Sequence, residues 1–131
     1  MRLLLDTHCW LWLGLQPLNL GRKTRALLSD LSNEAYLSAA SAWEIAIKCA
    51  LGKLRLPLDP GTYVRSRMKT SRVQPLAISI EHTIAAGELA PLHRDPFDRI
   101  LVAQAQLDGL TIVTADARIA NYPVLVHDAR R

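Results

Sequence analysis

With 131 residues, half of them hydrophobic and 21% charged, the chain has the length of one domain and enough apolar mass to bury a core without staples. That balance excludes a disordered tail, and no segment approaches the roughly 20 apolar residues of a membrane-spanning helix. The net charge of +4 is compatible with polyanion binding but does not by itself imply it.

Leu3-Leu4-Leu5 is a short all-apolar run that suits a central parallel strand buried on both faces. An apolar helix with Trp10, Trp12 and Leu13 follows and closes near Gly14. A second helix is expected over Arg22 to Leu31, with Ala26, Leu27 and Leu28 turned inward. Ala35 to Ser38 reads as the second strand, entering a helix from about Ala40 to Leu51 with Gly52 as its stop. After the turn-rich Leu56 to Gly61 comes a basic helix, Tyr63 to Thr70, then a third strand, Pro75 to Ile78, and a helix from Glu81 to Leu89.

The clearest helix runs from Phe97 to Leu107, with Leu101 and Ala105 on one row and Ile100, Ala103 and Leu107 on another. Asp108-Gly109 stops it. Thr111 to Val113 and Val124 to Val126 complete the strands. Strands alternating with helices point to a parallel sheet with helices on both faces, within one domain over residues 1–131.

Four carboxylates fall where such sheets bind ligands. Asp6 ends the first strand, Glu44 lies early in the helix after the second, Asp98 opens the clearest helix, and Asp116 follows the fourth strand. Each also fits a helix cap. Ser41 and Glu44 spell a capping box, Asp95-Pro96 is a cap followed by proline at the first helical position, and Asp6 and Asp116 precede helices. Gathered at one sheet edge, however, the acids would repel unless a cation neutralised them. Oxygen-only ligands suit Mg²⁺ or Mn²⁺. Such ions can activate water for phosphodiester cleavage, which needs no protein nucleophile. Thr7, Ser41 and Thr114 flank the acids as hydroxyls able to orient ligating oxygens.

LLLDTHCWLW, SAASAWEIAIKCALGKLRLP, HRDPFDRILVAQA and TIVTAD together resemble the PIN-domain family, specifically the toxin ribonucleases of VapBC-type toxin–antitoxin pairs. The resemblance implies a PIN-like three-layer α/β domain with a five-stranded parallel sheet in the order 3-2-1-4-5. It implies a Mg²⁺- or Mn²⁺-dependent endoribonuclease whose metal-binding and catalytic acids are Asp6, Glu44, Asp98 and Asp116. It also implies an RNA substrate, a cognate VapB-like antitoxin and a homodimer. Asp95 maps to a cap or supporting group.

Several lesser features carry expectations of their own. Trp43 should pack, and at least one of Trp10 and Trp12 should meet a partner. Arg65, Arg67, Lys69 and Arg72 could follow an RNA backbone, and His93, Arg94 and Arg99 could contact phosphate. His8 reads as a packing or supporting group; His82 and His127 carry no argument. Cys9 and Cys49 sit in apolar stretches with neither disulfide nor zinc spacing, so both should be buried reduced thiols. The run before Asp6 is too short for a signal peptide, and the expected compartment is the cytoplasm.

Three other readings compete. A phosphotransfer enzyme with Asp6 as nucleophile would want a second aspartate where His8 stands. A non-catalytic, metal-free binding module would leave the acids without a cation. A housekeeping RNA-processing nuclease of the same fold would lack an antitoxin.

Overall fold

The computed structural model describes residues 1–131 and contains one five-stranded sheet, all parallel, in the order β3-β2-β1-β4-β5. The strands are β1 (Arg2–Leu5), β2 (Glu34–Ser38), β3 (Gln74–Leu76), β4 (Thr111–Thr114) and β5 (Leu125–Asp128). Helices α1 (Thr7–Leu15) and α2 (Arg22–Ser29) follow β1, and α3 (Ala39–Ala50) and α4 (Pro60–Ser71) follow β2. Helices α5 (Ile80–Glu88) and α6 (Pro96–Asp108) connect β3 to β4.

The apolar run in β1 has a direct physical reading. Successive side chains of a strand point to opposite faces, and here both faces are covered. Leu3 and Leu5 enter a cluster with Trp10, Ile45, Tyr63 and Val113, beneath α1, α3 and α4. Leu4 enters the other cluster, with Leu101, Val102, Ala105 and Ile112, beneath α6. All three leucines are fully buried.

Strand β2 passes into α3 with no intervening loop, so that helix begins earlier than its sequence suggests. Ser38 is its N-cap, accepting the Ala40 N–H, and Ser41 is already in the first turn. The capping box expected of Ser41 and Glu44 is therefore absent. At the other end Gly52 adopts φ +71, while the Gly52 and Lys53 N–H groups reach the Cys49 and Lys48 carbonyls. This is a Schellman closure at the expected glycine. Gly21 is needed for a different reason: a Cβ there would lie 2.0 Å from the backbone of Arg131, which packs against the start of α2.

Other boundaries shift by small amounts, and some facings differ. Helix α2 stops at Ser29; Ala26 is exposed and Thr24 fills the buried position instead, bonded to His127 at 2.8 Å. Strand β3 covers Gln74–Leu76 because the chain leaves the sheet after Leu76. Leu107 is exposed on α6, where the buried row is Leu101, Val102, Ala103, Gln104 and Ala105. Cys9 is buried and its thiol is pushed up to about 12 by burial, whereas Cys49 is only partly covered. No helix is long and apolar enough to cross a membrane.

Candidate metal centre

The carboxyl ends of β1, β2 and β4 and the starts of α3 and α6 converge on one cleft of about 270 Å³. Asp6, Glu44, Asp98 and Asp116 all line it, with Asp95, His8, Trp12, Ala115, Arg118 and Arg130 around them. Asp6 stands at the N-cap position of α1, yet its side chain makes no capping bond. Its Oδ2 instead accepts the Thr114 hydroxyl at 2.7 Å. Thr114 in turn accepts the Asp116 N–H at 3.0 Å, so one hydroxyl joins two of the acids.

Glu44 is 4% exposed, and its two oxygens differ. Oε2 receives Lys48 Nζ at 2.6 Å, one turn along α3. Oε1 is buried with no hydrogen-bond partner. A buried carboxylate oxygen without a donor is costly unless something not made of protein fills the need. Asp98, in the first turn of α6, is also buried, with Asp95 capping the helix by accepting the Phe97 N–H at 2.9 Å.

His93 sits among these acids and is almost wholly buried. Its Nε2 lies 2.8 Å from Asp98 Oδ2 and 3.0 Å from Asp116 Oδ2. Its Nδ1 accepts the Asp95 N–H at 3.2 Å, which leaves the ring hydrogen on Nε2. The imidazole thus donates through Nε2 to Asp116, with Asp98 Oδ2 beside the same nitrogen. The donor atoms of His93, Asp98 and Asp116 lie within 4.8 Å of one another. In this tautomer the histidine nitrogen cannot itself ligate, so the available ligands are oxygens.

The electrostatics follow from crowding. Burial, then repulsion from Asp6, Asp95, Glu44 and Asp116, pushes the Asp98 carboxyl up to about 8. Burial also raises Asp6, against the lowering effects of Thr114 and His8. Burial works on Asp116 in the same direction, but the Arg118 and His93 hydrogen bonds outweigh it and hold that carboxyl down at about 2. A site that protonates one acid in the absence of a cation, and leaves a buried oxygen unpartnered, matches the donor set a hard divalent cation requires.

The neighbouring residues divide between site and scaffold. Thr7 donates to Ser41 Oγ at 2.8 Å, a buried bond that ties α1 to α3 beside the cleft. Arg99 does not face the acids: its guanidinium donates to the carbonyls of Ala86, Leu89, Ala90 and His93 and to the Tyr122 hydroxyl. It clamps the loop before α6, and neither it nor buried His93 can reach a phosphate. Trp10 belongs to the core, edge-on to Tyr63, whereas Trp12 lines the cleft. Trp43 is 64% exposed, with Phe97 against one edge, contrary to the packed position its apolar helix suggests.

Two residues of the site, His93 and Arg118, carry little signal in the sequence. His93 precedes Asp95 by two, and its role depends on a loop fold that periodicity does not reveal. Arg118 follows Asp116 by two, and only the turn geometry brings its guanidinium back onto that carboxylate.

The PIN domain profile matches residues 3–125. The chain belongs to the PIN domain family. Over 61 residues it is 48% identical to "Ribonuclease VapC16" of Mycobacterium tuberculosis, an alignment covering 47% of this chain and 43% of that relative. The match therefore spans less than half of that curated protein. Among solved structures, a chain of VapBC2 from Rickettsia felis, bound to a promoter DNA fragment, superposes with a TM-score of 0.71. The match covers 97% of this chain and 98% of that one at 16% identity. A chain of VapBC-1 from nontypeable Haemophilus influenzae gives a TM-score of 0.66 over 100% of both chains at 17% identity. A toxin–antitoxin complex from Klebsiella pneumoniae gives 0.63 over 96% of both at 22% identity. At such identities the likeness is one of fold. It places this PIN domain's sheet order and helical layers among those of known members.

Proposed function

We propose that this PIN domain protein is a Mg²⁺- or Mn²⁺-dependent endoribonuclease, the toxin of a type II toxin–antitoxin pair acting in the cytoplasm. The observation that carries the metal reading is the unpartnered, buried Oε1 of Glu44, a residue lining the acidic cleft. Asp6, Glu44 and Asp98 would hold a cation, with Asp116 joining them. A bound divalent cation would supply an activated water and neutralise the charge developing on the phosphodiester.

The chain's own residues prepare that chemistry. Thr114 orients Asp6, His93 donates to Asp116 with Asp98 beside the same nitrogen, and the Thr7–Ser41 bond fixes α1 against α3. Lys48 takes one oxygen of Glu44 and leaves the other without a partner. The ribonuclease named as a relative, and the toxin–antitoxin complexes that share the fold, support RNA as substrate and a small VapB-like antitoxin as inhibitor. A homodimer is part of the same reading, and Trp43 on α3 and Ile80 and Ile84 on α5 are exposed apolar side chains available to such an interface.

The test is cleavage of a defined single-stranded RNA by purified protein with and without chelator. Cleavage should stop in excess EDTA and return with Mn²⁺. Persistence in EDTA overturns the metal reading. Separately, expression without the adjacent small gene should arrest growth; active protein that accumulates harmlessly would make this an RNA-processing nuclease instead of a toxin.

A further inference from the structure

Each carboxylate oxygen offers about two acceptor positions, so a carboxylate has about four. Those of Asp116 are fully used. Oδ1 accepts the Arg118 N–H at 2.9 Å and Arg118 Nε at 3.2 Å. Oδ2 accepts Arg118 Nη2 at 3.2 Å and His93 Nε2 at 3.0 Å. The other acids differ: Glu44 keeps a bare oxygen, and Asp6 engages Oδ2 with Thr114, its other oxygen lying outside that bond. Asp116 can therefore ligate a cation only by releasing a donor. His93 is enclosed and the Arg118 N–H is fixed by the turn, but the Arg118 side chain is 65% exposed. The guanidinium is the donor that can leave.

We propose that Arg118 stands in for a cation at Asp116 in the metal-free protein, and passes to the RNA backbone when a divalent cation takes that carboxylate. The inference rests on the metal-dependent ribonuclease reading above. The planar fork that spans two carboxylate oxygens spans two phosphate oxygens equally well. Anchored two residues from Asp116 and lining the same cleft, the freed guanidinium would remain beside the cation. Arg130 lines that cleft too; its backbone N–H donates to Asp128 while its guanidinium is in no ion pair, so it offers a second cation to the same strand. One residue thereby serves two states: it relieves acid crowding without metal and binds substrate with it.

The experiment compares wild-type protein with Arg118→Gln, and Arg118→Lys as a second variant, each checked for folding by circular dichroism. Titration with Mn²⁺ alone, followed by calorimetry or by the electron paramagnetic resonance of free Mn²⁺, reads the first half. Because an exposed ion pair is a weak competitor, Arg118→Gln should bind Mn²⁺ about threefold more tightly. Equal or weaker binding overturns the inference. Binding of a short single-stranded RNA with Ca²⁺ replacing Mn²⁺ reads the second half. There Arg118→Gln should weaken affinity and lower the salt slope by about 0.7, the loss of one phosphate contact, while Arg118→Lys keeps the slope. An unchanged slope in Arg118→Gln overturns the transfer to RNA. If no form takes up Mn²⁺, the metal reading fails and this inference with it; if Mn²⁺ binds as expected but no RNA does, the substrate is wrong and the competition at Asp116 stands.

Discussion

The Thr114 hydroxyl donates to Asp6 Oδ2 at 2.7 Å, linking the carboxyl ends of two neighbouring strands, β1 and β4. Both residues are buried, so the bond works in a medium of low polarity where an oxygen left without a donor is costly. It holds Asp6 toward the cleft instead of letting it cap α1.

Replacement of Thr114 by valine keeps the shape and removes the donor. The variant should remain folded but lose about 1–3 kcal/mol of stability or somewhat more, since Asp6 Oδ2 loses its donor and the Asp116 N–H its acceptor. Cleavage should fall with it, since Asp6 is no longer oriented, while Thr114→Ser should retain both. Chemical denaturation in EDTA together with single-turnover cleavage checks the two effects; a valine variant with wild-type cleavage would mean that Asp6 is placed by something else.

His93 is expected to act by donation and not by ligation. Its Nδ1 is engaged by the Asp95 N–H, so Nε2 carries the hydrogen that meets Asp116 and lies against Asp98. His93→Gln preserves a donor and should keep measurable Mn²⁺ binding, whereas His93→Leu removes a buried donor from Asp116 and should lower the melting temperature of the chelated protein by several degrees. Complete loss of Mn²⁺ binding in a folded His93→Gln would identify the imidazole as a ligand.

The sheet was legible because its strands are dictated locally. Three leucines in succession suit a strand covered on both faces, and β1, β2, β4 and β5 end at or just before an acid or a hydroxyl, namely Asp6, Ser38, Thr114 and Asp128. The four carboxylates were legible for the same reason, as residues placed at strand ends and helix starts. What stayed hidden depends on contacts between distant residues. Glu44 looked like a cap until β2 proved continuous with α3, which made Ser38 the cap. Arg99 looked like a rim cation because its bonds run to Ala86 of α5, to the loop carbonyls of Leu89, Ala90 and His93 and to Tyr122, contacts that no periodicity encodes. Trp43 looked like core because its helix is apolar on several sides, yet only the side carrying Ile45 meets the sheet.

The raised Asp98 carboxyl makes the chelated protein sensitive to pH. It titrates at about 8 in the folded state and near 4 in the unfolded chain. Between those values the folded state holds a proton that the unfolded chain has released, so stability declines as pH rises and levels off above the folded value. Asp116, held at about 2, contributes in a separate window: its stabilisation is lost only as pH falls from about 4. His127, lowered chiefly by burial, opposes Asp98 below about 6.5, and the buried Cys9 thiol adds to it above about 8.5. Between pH 7 and 8 the carboxylate dominates, and the chelated protein should lose about 1 kcal/mol, a few degrees of melting temperature. Asp98→Asn should abolish that slope; a slope that survives in the variant assigns it to another group.

Stability and activity should move in opposite directions when the acids are neutralised. Asp6, Glu44 and Asp98 are all nearly buried, and Lys48 is the one cation bonded directly to any of them. Without metal, Asp98 fits among them below about pH 8 only by holding a proton that the unfolded chain has released, and a neutral amide of the same shape avoids that cost. Asp98→Asn should therefore melt higher than wild type in EDTA, where the crowding is uncompensated. Added Mn²⁺ should reverse the order, because wild type gains binding free energy as the cation exceeds its dissociation constant and the variant has lost a ligand. RNA cleavage should vanish in the same variant. Melting curves for both proteins, in EDTA and across a Mn²⁺ series, decide the point. An Asp98→Asn variant less stable than wild type in EDTA would show that Asp98 is held mainly as an ordinary acid of the first turn of α6, and the cluster would then carry no stored repulsion for a cation to relieve.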